Sequence, residues 1–163
     1  MNRPIVRTKG RHKILLVYPL QGGSGAFVRH IPLGLLYTSA KLVKQGAFVE
    51  IFDCRLNPRT WREELANKLD KETLIVGISV MTGSPLMQAS KIGEMVKEFD
   101  SHINVVWGGP HATFNPNSIL ENEETCDYVV NGYGSEAFFE LYQALTVGEQ
   151  PRNIPGVVYR DGT

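Results

Sequence analysis

The residues able to do chemistry in this chain gather where strands should end. Trp107-Gly108-Gly109-Pro110-His111-Ala112-Thr113 reads as a buried strand end, a glycine turn and the opening of a helix. Two residues without a Cβ let backbone approach something large, or take up positive φ; a plain tight turn uses them in the same way. His111 invites a metal reading. The other histidines, His12, His30 and His102, stand at no metal-ligand spacing from it. It is read instead as a hydrogen-bonding residue that shapes its loop. Ser79-Val80-Met81-Thr82-Gly83-Ser84 places three hydroxyls at a helix start, where free N–H groups point outward. Ser84, before Pro85, reads as an N-cap. Ser79, still on its strand, suits a hydrogen bond to a ligand. Pro19 to Gly25 is glycine-rich, but no Gly-Lys-Ser/Thr follows and the loop does not run straight into a helix, so it is neither a P-loop nor a dinucleotide fingerprint. Asn131-Gly132-Tyr133-Gly134-Ser135-Glu136-Ala137 matches Gly-x-Gly-x-x-Ala. It follows the last strand, and no acidic strand end comes about 20 residues later. No nucleophile–base pair, readable carboxylate pair or metal-ligand cluster stands out. Neither catalytic nor metal-ligating residues are assigned, and the loops suggest a broad ligand face.

These loops need elements to hold them. A length of 163 residues predicts one domain. Lys13 to Tyr18 is a short continuous apolar run, the pattern of a strand covered on both faces. Pro32 opens a helix with an apolar stripe of Leu33, Leu35, Leu36, Ala40 and Leu42-Val43, closed by Gly46. Strands follow at 48–52, 73–79, 103–107 and 128–130. Helices are predicted at 58–69, from Gly83-Ser84-Pro85 to Phe99, as a short turn in 113–120 with Asn115 as its cap, and at 135–145. This alternation predicts a doubly wound α/β fold: a five-stranded parallel sheet with helices on both faces. Residues 1–12 read as a flexible leader, 13–146 as the domain and 147–163 as a linker. Within the linker, Ile154 to Gly162 looks like one arm of a β-hairpin cut after its turn. A fragment is expected, with a further domain beyond Thr163.

Net charge is zero, so nucleic acid is not an expected partner. No apolar run of 18 residues occurs, which speaks against a membrane helix. Two cysteines, Cys54 and Cys126, lie far apart without a Cys-x-x-Cys pair. A cytoplasmic protein with reduced thiols is the simplest expectation.

Five pieces together resemble the cobalamin (B12)-binding domain at the N-terminus of B12-dependent radical S-adenosylmethionine enzymes. They are Lys-Ile-Leu-Leu-Val-Tyr-Pro at 13–19, Pro-Leu-Gly-Leu-Leu-Tyr at 32–37, Val-Gly-Ile-Ser at 76–79, Trp-Gly-Gly-Pro-His-Ala-Thr at 107–113, and Asp-Tyr-Val-Val-Asn-Gly-Tyr-Gly-Ser-Glu at 127–136. The family usually has Gly-Glu-Gly-Glu in the last piece, so Tyr133 departs from it. The resemblance implies cobalamin as ligand, held base-off, since the Asp-x-His-x-x-Gly loop of the wider family is absent after the first strand. Ser79, Val80 and Met81 match a tail-binding Ser-x-Leu, with Thr82 beside them. Gly108 and Gly109 match a tail-binding Gly-Gly, with Pro110 and His111 after it. Pro32, Leu33 and Gly34 are expected beneath the corrin. Pro19, Gln21 and Gly22 are expected on one side of it, and Gly132, Tyr133, Gly134 and Glu136 on the other. The 4Fe-4S cluster and S-adenosylmethionine would belong to a C-terminal radical domain, the expected partner, which performs methyl transfer or other radical chemistry. Two other readings stay open: a nucleotide- or flavin-binding module using Asp53 at the end of the second strand, and a scaffold that has lost cobalamin.

Overall fold

The computed structural model describes residues 12–22 and 30–160. Six strands form one sheet in the order β2-β1-β3-β4-β5-β6. They are β1 (Lys13–Tyr18), β2 (Phe48–Asp53), β3 (Thr73–Ser79), β4 (Asn104–Gly108), β5 (Tyr128–Val130) and β6 (Val157–Tyr159). The first five run parallel, and the helices between them are α1 (Leu33–Lys44), α2 (Trp61–Ala66), α3 (Ser84–Phe99), the short pair α4 (Pro110–Phe114) and α5 (Pro116–Asn122), and α6 (Gly134–Val147).

Because side chains alternate along a strand, the sheet buries two faces. Leu15, Val17, Val76, Ile78, Val105, Trp107 and Val129 pack under α2, α3, α4 and α5 through Trp61, Leu65, Ile92, Ala112 and Ile119. Ile14, Leu16, Tyr18, Val106 and Val130 pack under α1 and α6 through Leu35, Leu42, Phe138 and Leu141. Crossover loops at the carboxyl ends of the strands are thereby brought to one edge.

Three expectations are corrected. The sheet has six strands, not five, because residues 157–159 join it: Val157 pairs with Val130 and Tyr159 with Tyr128, antiparallel. The reason lies in the return path. Gly148 ends α6 in the left-handed conformation, and Asn131 N–H donates to the Gly156 carbonyl at 2.9 Å at the carboxyl edge. The next strand must then run back down, and it satisfies the exposed edge of β5. Asp161-Gly162 lies outside the described residues, as do the leader up to Arg11 and Gly23 to Gly25 of the first loop. The α1 stripe is not one stripe: Leu35, Ser39 and Leu42 are buried, whereas Leu33, Leu36, Ala40 and Val43 face outward. Two interleaved lines of 3–4 spacing occupy one helix, and only one can face the sheet. Finally, Ser84 is the first residue of α3 and Gly83 its cap, with no side-chain cap bond. Asn115 does stand at the N-cap of α5, before Pro116, but its amide donates to the His111 carbonyl at 3.3 Å and makes no side-chain cap bond.

Arg160 fastens the end of β6 to α5. Its guanidinium donates to the carbonyls of Leu120 at 2.8 Å, Cys126 at 2.9 Å and Glu123 at 2.6 Å. Arg160→Ala is expected to lower stability by about 1–2 kcal/mol, since carbonyls bonded to a charged donor lose their partner. A denaturant midpoint that does not move would show these bonds to be idle.

Among the described residues no helix is long and apolar enough to cross a membrane.

Candidate functional site

At the carboxyl edge, on the face covered by α1 and α6, the last row of side chains is set by strand register. Asp53 pairs with Tyr18, and Ser79 pairs with Gly108. Val17 pairs with Ile78 and Trp107 with Val129, which sets Tyr18 beside Ser79 and Gly108 beside Val130. One row deeper the sheet is filled. A Cβ on Gly77 would lie 2.8 Å from Leu16 Cδ2 and 3.2 Å from the Phe138 ring. In the last row the centre carries only a hydroxyl and a hydrogen. A Cβ on Gly108 would meet nothing closer than the Val130 carbonyl at 3.7 Å. The result is a shelf, floored by Ser79 and Gly108 and backed by Phe138. Its sides are α1 and α6, which meet through Thr38 and Gly134 and through the Lys41–Glu136 ion pair, with Lys41 Nζ 4.6 Å from the Phe139 ring centre.

Gly109 has a different job. Its φ is +95°, and a Cβ there would lie 3.0 Å from Val80 N and 3.1 Å from Ser79 Oγ. It lets the loop after β3 press onto the start of α4. Val80 N–H donates to the Gly108 carbonyl at 2.7 Å, and His111 N–H to the Val80 carbonyl at 3.0 Å. The Val80 side chain is buried on the opposite face of the sheet, so only its backbone reaches this edge. His111 Nδ1 bonds Thr82 Oγ1 at 3.0 Å, which ties the two loops together. Thr113 Oγ1 donates to the Gly109 carbonyl at 2.9 Å and accepts from Gly132 N–H at 3.0 Å, fixing the loop after β5. In the first loop Gln21 Nε2 donates to the Pro19 carbonyl at 3.2 Å, and Gly22 packs against Ser84 so closely that a Cβ would lie 2.3 Å from its hydroxyl.

The rim is apolar and open. Leu33 is 71 % exposed, Ile31 65 % and Tyr133 95 %, with Leu36 and Met81 also exposed. Nothing lies within 4 Å of a Cβ built on Gly34. Leu33 and Leu36, three residues apart on one face of α1, form an exposed apolar pair of the kind that a ligand or partner can cover.

Sequence reasoning missed Tyr18, Arg55, Thr38, Thr113 and Phe138. Register alone, read from paired strand ends, would have found Tyr18; the others depend on tertiary packing. Arg55 grips Asp53 through Nε at 2.9 Å and Nη2 at 2.7 Å, and lies 4.1 Å above the Tyr18 ring centre. Burial would raise the Asp53 carboxyl, but the hydrogen bonds and charge of Arg55 outweigh it and hold the group below its ordinary value. Arg55 occupies both Asp53 oxygens and the side chain is only 11% exposed, so little of the carboxylate is left open to a ribose. A depressed folded value stabilises above the unfolded value of about 3.9 and is lost as pH falls through the folded one. Asp53→Asn is therefore expected to be less stable than wild type at neutral pH, with the gap closing on acidification. A gap that stays constant down to pH about 2 would contradict the pairing.

Both cysteines are buried, and burial pushes each thiol up to about 12, so neither offers a thiolate. Among the described residues no group of three or more His, Cys, Asp or Glu is placed to hold a metal ion.

A model described as "B12 binding domain" matches residues 26–142. An uncharacterized methyltransferase of Pyrococcus horikoshii is 33% identical over 159 residues, covering 91% of this chain and 33% of that protein. An anaerobic magnesium-protoporphyrin IX monomethyl ester cyclase of Cereibacter sphaeroides is 28% identical over 156 residues, covering 92% of this chain and 25% of that protein. The chain thus spans a third or less of these curated relatives. Among solved structures, the radical S-adenosylmethionine methyltransferase TsrM of Kitasatospora setae, with cobalamin and a 4Fe-4S cluster bound, superposes with a TM-score of 0.80 at 22% identity, over 93% of this chain and 27% of that one. The cobalamin-dependent S-adenosylmethionine radical enzyme OxsB, with aqua-cobalamin and S-adenosylmethionine bound, gives 0.70 at 18% identity, over 93% of this chain and 21% of that one. At those identities the likeness establishes the fold. The family expected from the five sequence pieces is borne out.

Proposed function

Because the chain belongs to the B12-binding domain family, we propose that its carboxyl edge holds cobalamin base-off, with the nucleotide tail on the Ser79–Gly108 shelf and the corrin across the apolar rim. When bound, cobalamin supplies a cobalt centre able to carry a methyl group. The chain's own residues bind and orient it. Ser79 Oγ offers a hydrogen bond on the shelf floor, and Gly108 leaves room above it. Ile31, Leu33 and Leu36 provide an apolar floor, and Gly34 keeps that floor flat. No ring nitrogen is assigned to cobalt, since the Asp-x-His-x-x-Gly loop is absent after β1, and His111 Nδ1 serves to tie two loops together through Thr82. The module runs through β6, which pairs with β5 in the same sheet, and it would serve a radical domain of the whole protein that holds the 4Fe-4S cluster and S-adenosylmethionine. The whole protein then transfers methyl groups or performs related radical chemistry.

The observation that carries this reading is the shelf: the last sheet row is open at Ser79 and Gly108 while the row beneath is packed shut by Phe138. Equilibrium titration with hydroxocobalamin tests it. Leu33→Asp with Leu36→Asp is expected to weaken binding about tenfold while leaving stability within about 0.5 kcal/mol, as for other exposed positions. Unchanged affinity would displace the corrin from α1, and tight binding of a dinucleotide in place of cobalamin would sink the reading.

A further inference from the structure

The Asp53–Arg55 pair is unusual for its place. Both side chains are only 11% exposed, yet they sit at the end of an outer strand, beside the ligand edge. Burying an ion pair costs desolvation, and apolar residues of the same size often do as well or better for stability. Its contacts suggest another purpose. Arg55 uses Nε and Nη2 to hold both oxygens of Asp53, and the Asp53 Oδ1 also accepts the Arg55 backbone N–H at 3.0 Å. With Nη2 it also donates to the His30 carbonyl at 2.8 Å, 25 residues away in sequence. Its guanidinium carbon lies over the Tyr18 ring, 4.1 Å from the centre, and His30 rests edge-on against that same ring. Tyr18 OH in turn points to Met81 Sδ at 3.9 Å, in the loop after β3.

The hub thus joins the ends of β1 and β2 to the two residues before Pro32, where α1 begins. α1 itself has no side-chain cap at its N-terminus. Leu35 and Leu42 seat the helix on the sheet, and the bond to His30 ties down the chain that enters it. We propose that Arg55 is a positioning residue for cobalamin, acting through the His30 carbonyl to hold the apolar floor of Ile31, Leu33 and Leu36 at the rim. It rests on the cobalamin reading above and adds a residue that touches no part of the proposed ligand. A guanidinium suits the task because one planar group can grip a carboxylate, reach a carbonyl and stack on an aromatic face at once.

The test uses the whole chain, hydroxocobalamin titration and thermal melting. Asp53→Leu combined with Arg55→Met is expected to melt at or above the wild-type temperature while its dissociation constant rises at least about tenfold. Arg55→Lys keeps the charge but lacks the fork, and is expected to fall between the two. Wild-type affinity in the double variant would overturn the proposal. Should the double variant not fold, Arg55→Lys decides: wild-type affinity in a folded Arg55→Lys protein overturns it, and weakened affinity upholds it. Wild-type protein that fails to bind cobalamin defeats the cobalamin reading itself, a result distinct from equal binding by all variants.

Discussion

Gly108→Leu is expected to leave the domain folded and to abolish cobalamin retention. Gly108 lies at the end of β4 with no positive φ, and a Cβ there meets nothing nearer than the Val130 carbonyl at 3.7 Å. The backbone therefore accepts a side chain. That side chain would stand on the same row as Ser79 and fill the shelf floor. The expected loss of affinity is at least about a hundredfold, or about 2.7 kcal/mol. Melting temperature and titration, measured on the same protein, separate this outcome from a folding defect. Wild-type affinity in the Gly108→Leu protein would show that the tail does not lie there.

The neighbouring glycine should behave in the opposite way. Gly109→Ala is expected to destabilise the fold itself. Its φ of +95° with ψ of −172° falls in a region essentially reserved for glycine. A side chain there costs about 1–3 kcal/mol in backbone strain. The added Cβ would also press on the Val80 amide and carbonyl at 3.0 and 3.1 Å. Backbone cannot yield as a flexible side chain can. A denaturation curve at wild-type midpoint would contradict this. Two adjacent glycines thus separate by function: one keeps a turn possible and the other keeps a space empty.

That separation is not legible in the sequence, where Gly108-Gly109 reads as a single feature. Type and order of the elements are legible, because continuous apolar runs at 13–18, 73–79 and 103–107 mark strands buried on both faces. Which face of α1 turns inward is not. Leu33, Leu36 and Val43 are as apolar as Leu35 and Leu42, and hydropathy does not say which line meets the sheet. The exposed line is the one on which the proposed corrin would rest. The sixth strand reads as a hairpin arm because Asp-Gly signals a turn; its partner, β5, lies on the other side of a whole helix. Ser84 reads as a cap on residue type alone, while the backbone of Gly83 at φ of +103° makes the turn into α3. The role of Arg55 depends on a contact between residues 30 and 55, which no local pattern reports. Sequence spacing locates the loops; tertiary packing decides which atoms in them are free.

We propose above that this chain holds cobalamin on the Ser79–Gly108 shelf without a protein nitrogen on cobalt. The most direct test is the visible absorption spectrum of the purified chain after incubation with hydroxocobalamin and desalting at neutral pH. Retained corrinoid is expected, near one per chain, with a base-off spectrum that is unchanged in His30→Ala and His111→Ala. Absence of retained colour, or a base-on spectrum that either histidine substitution converts to base-off, would contradict it.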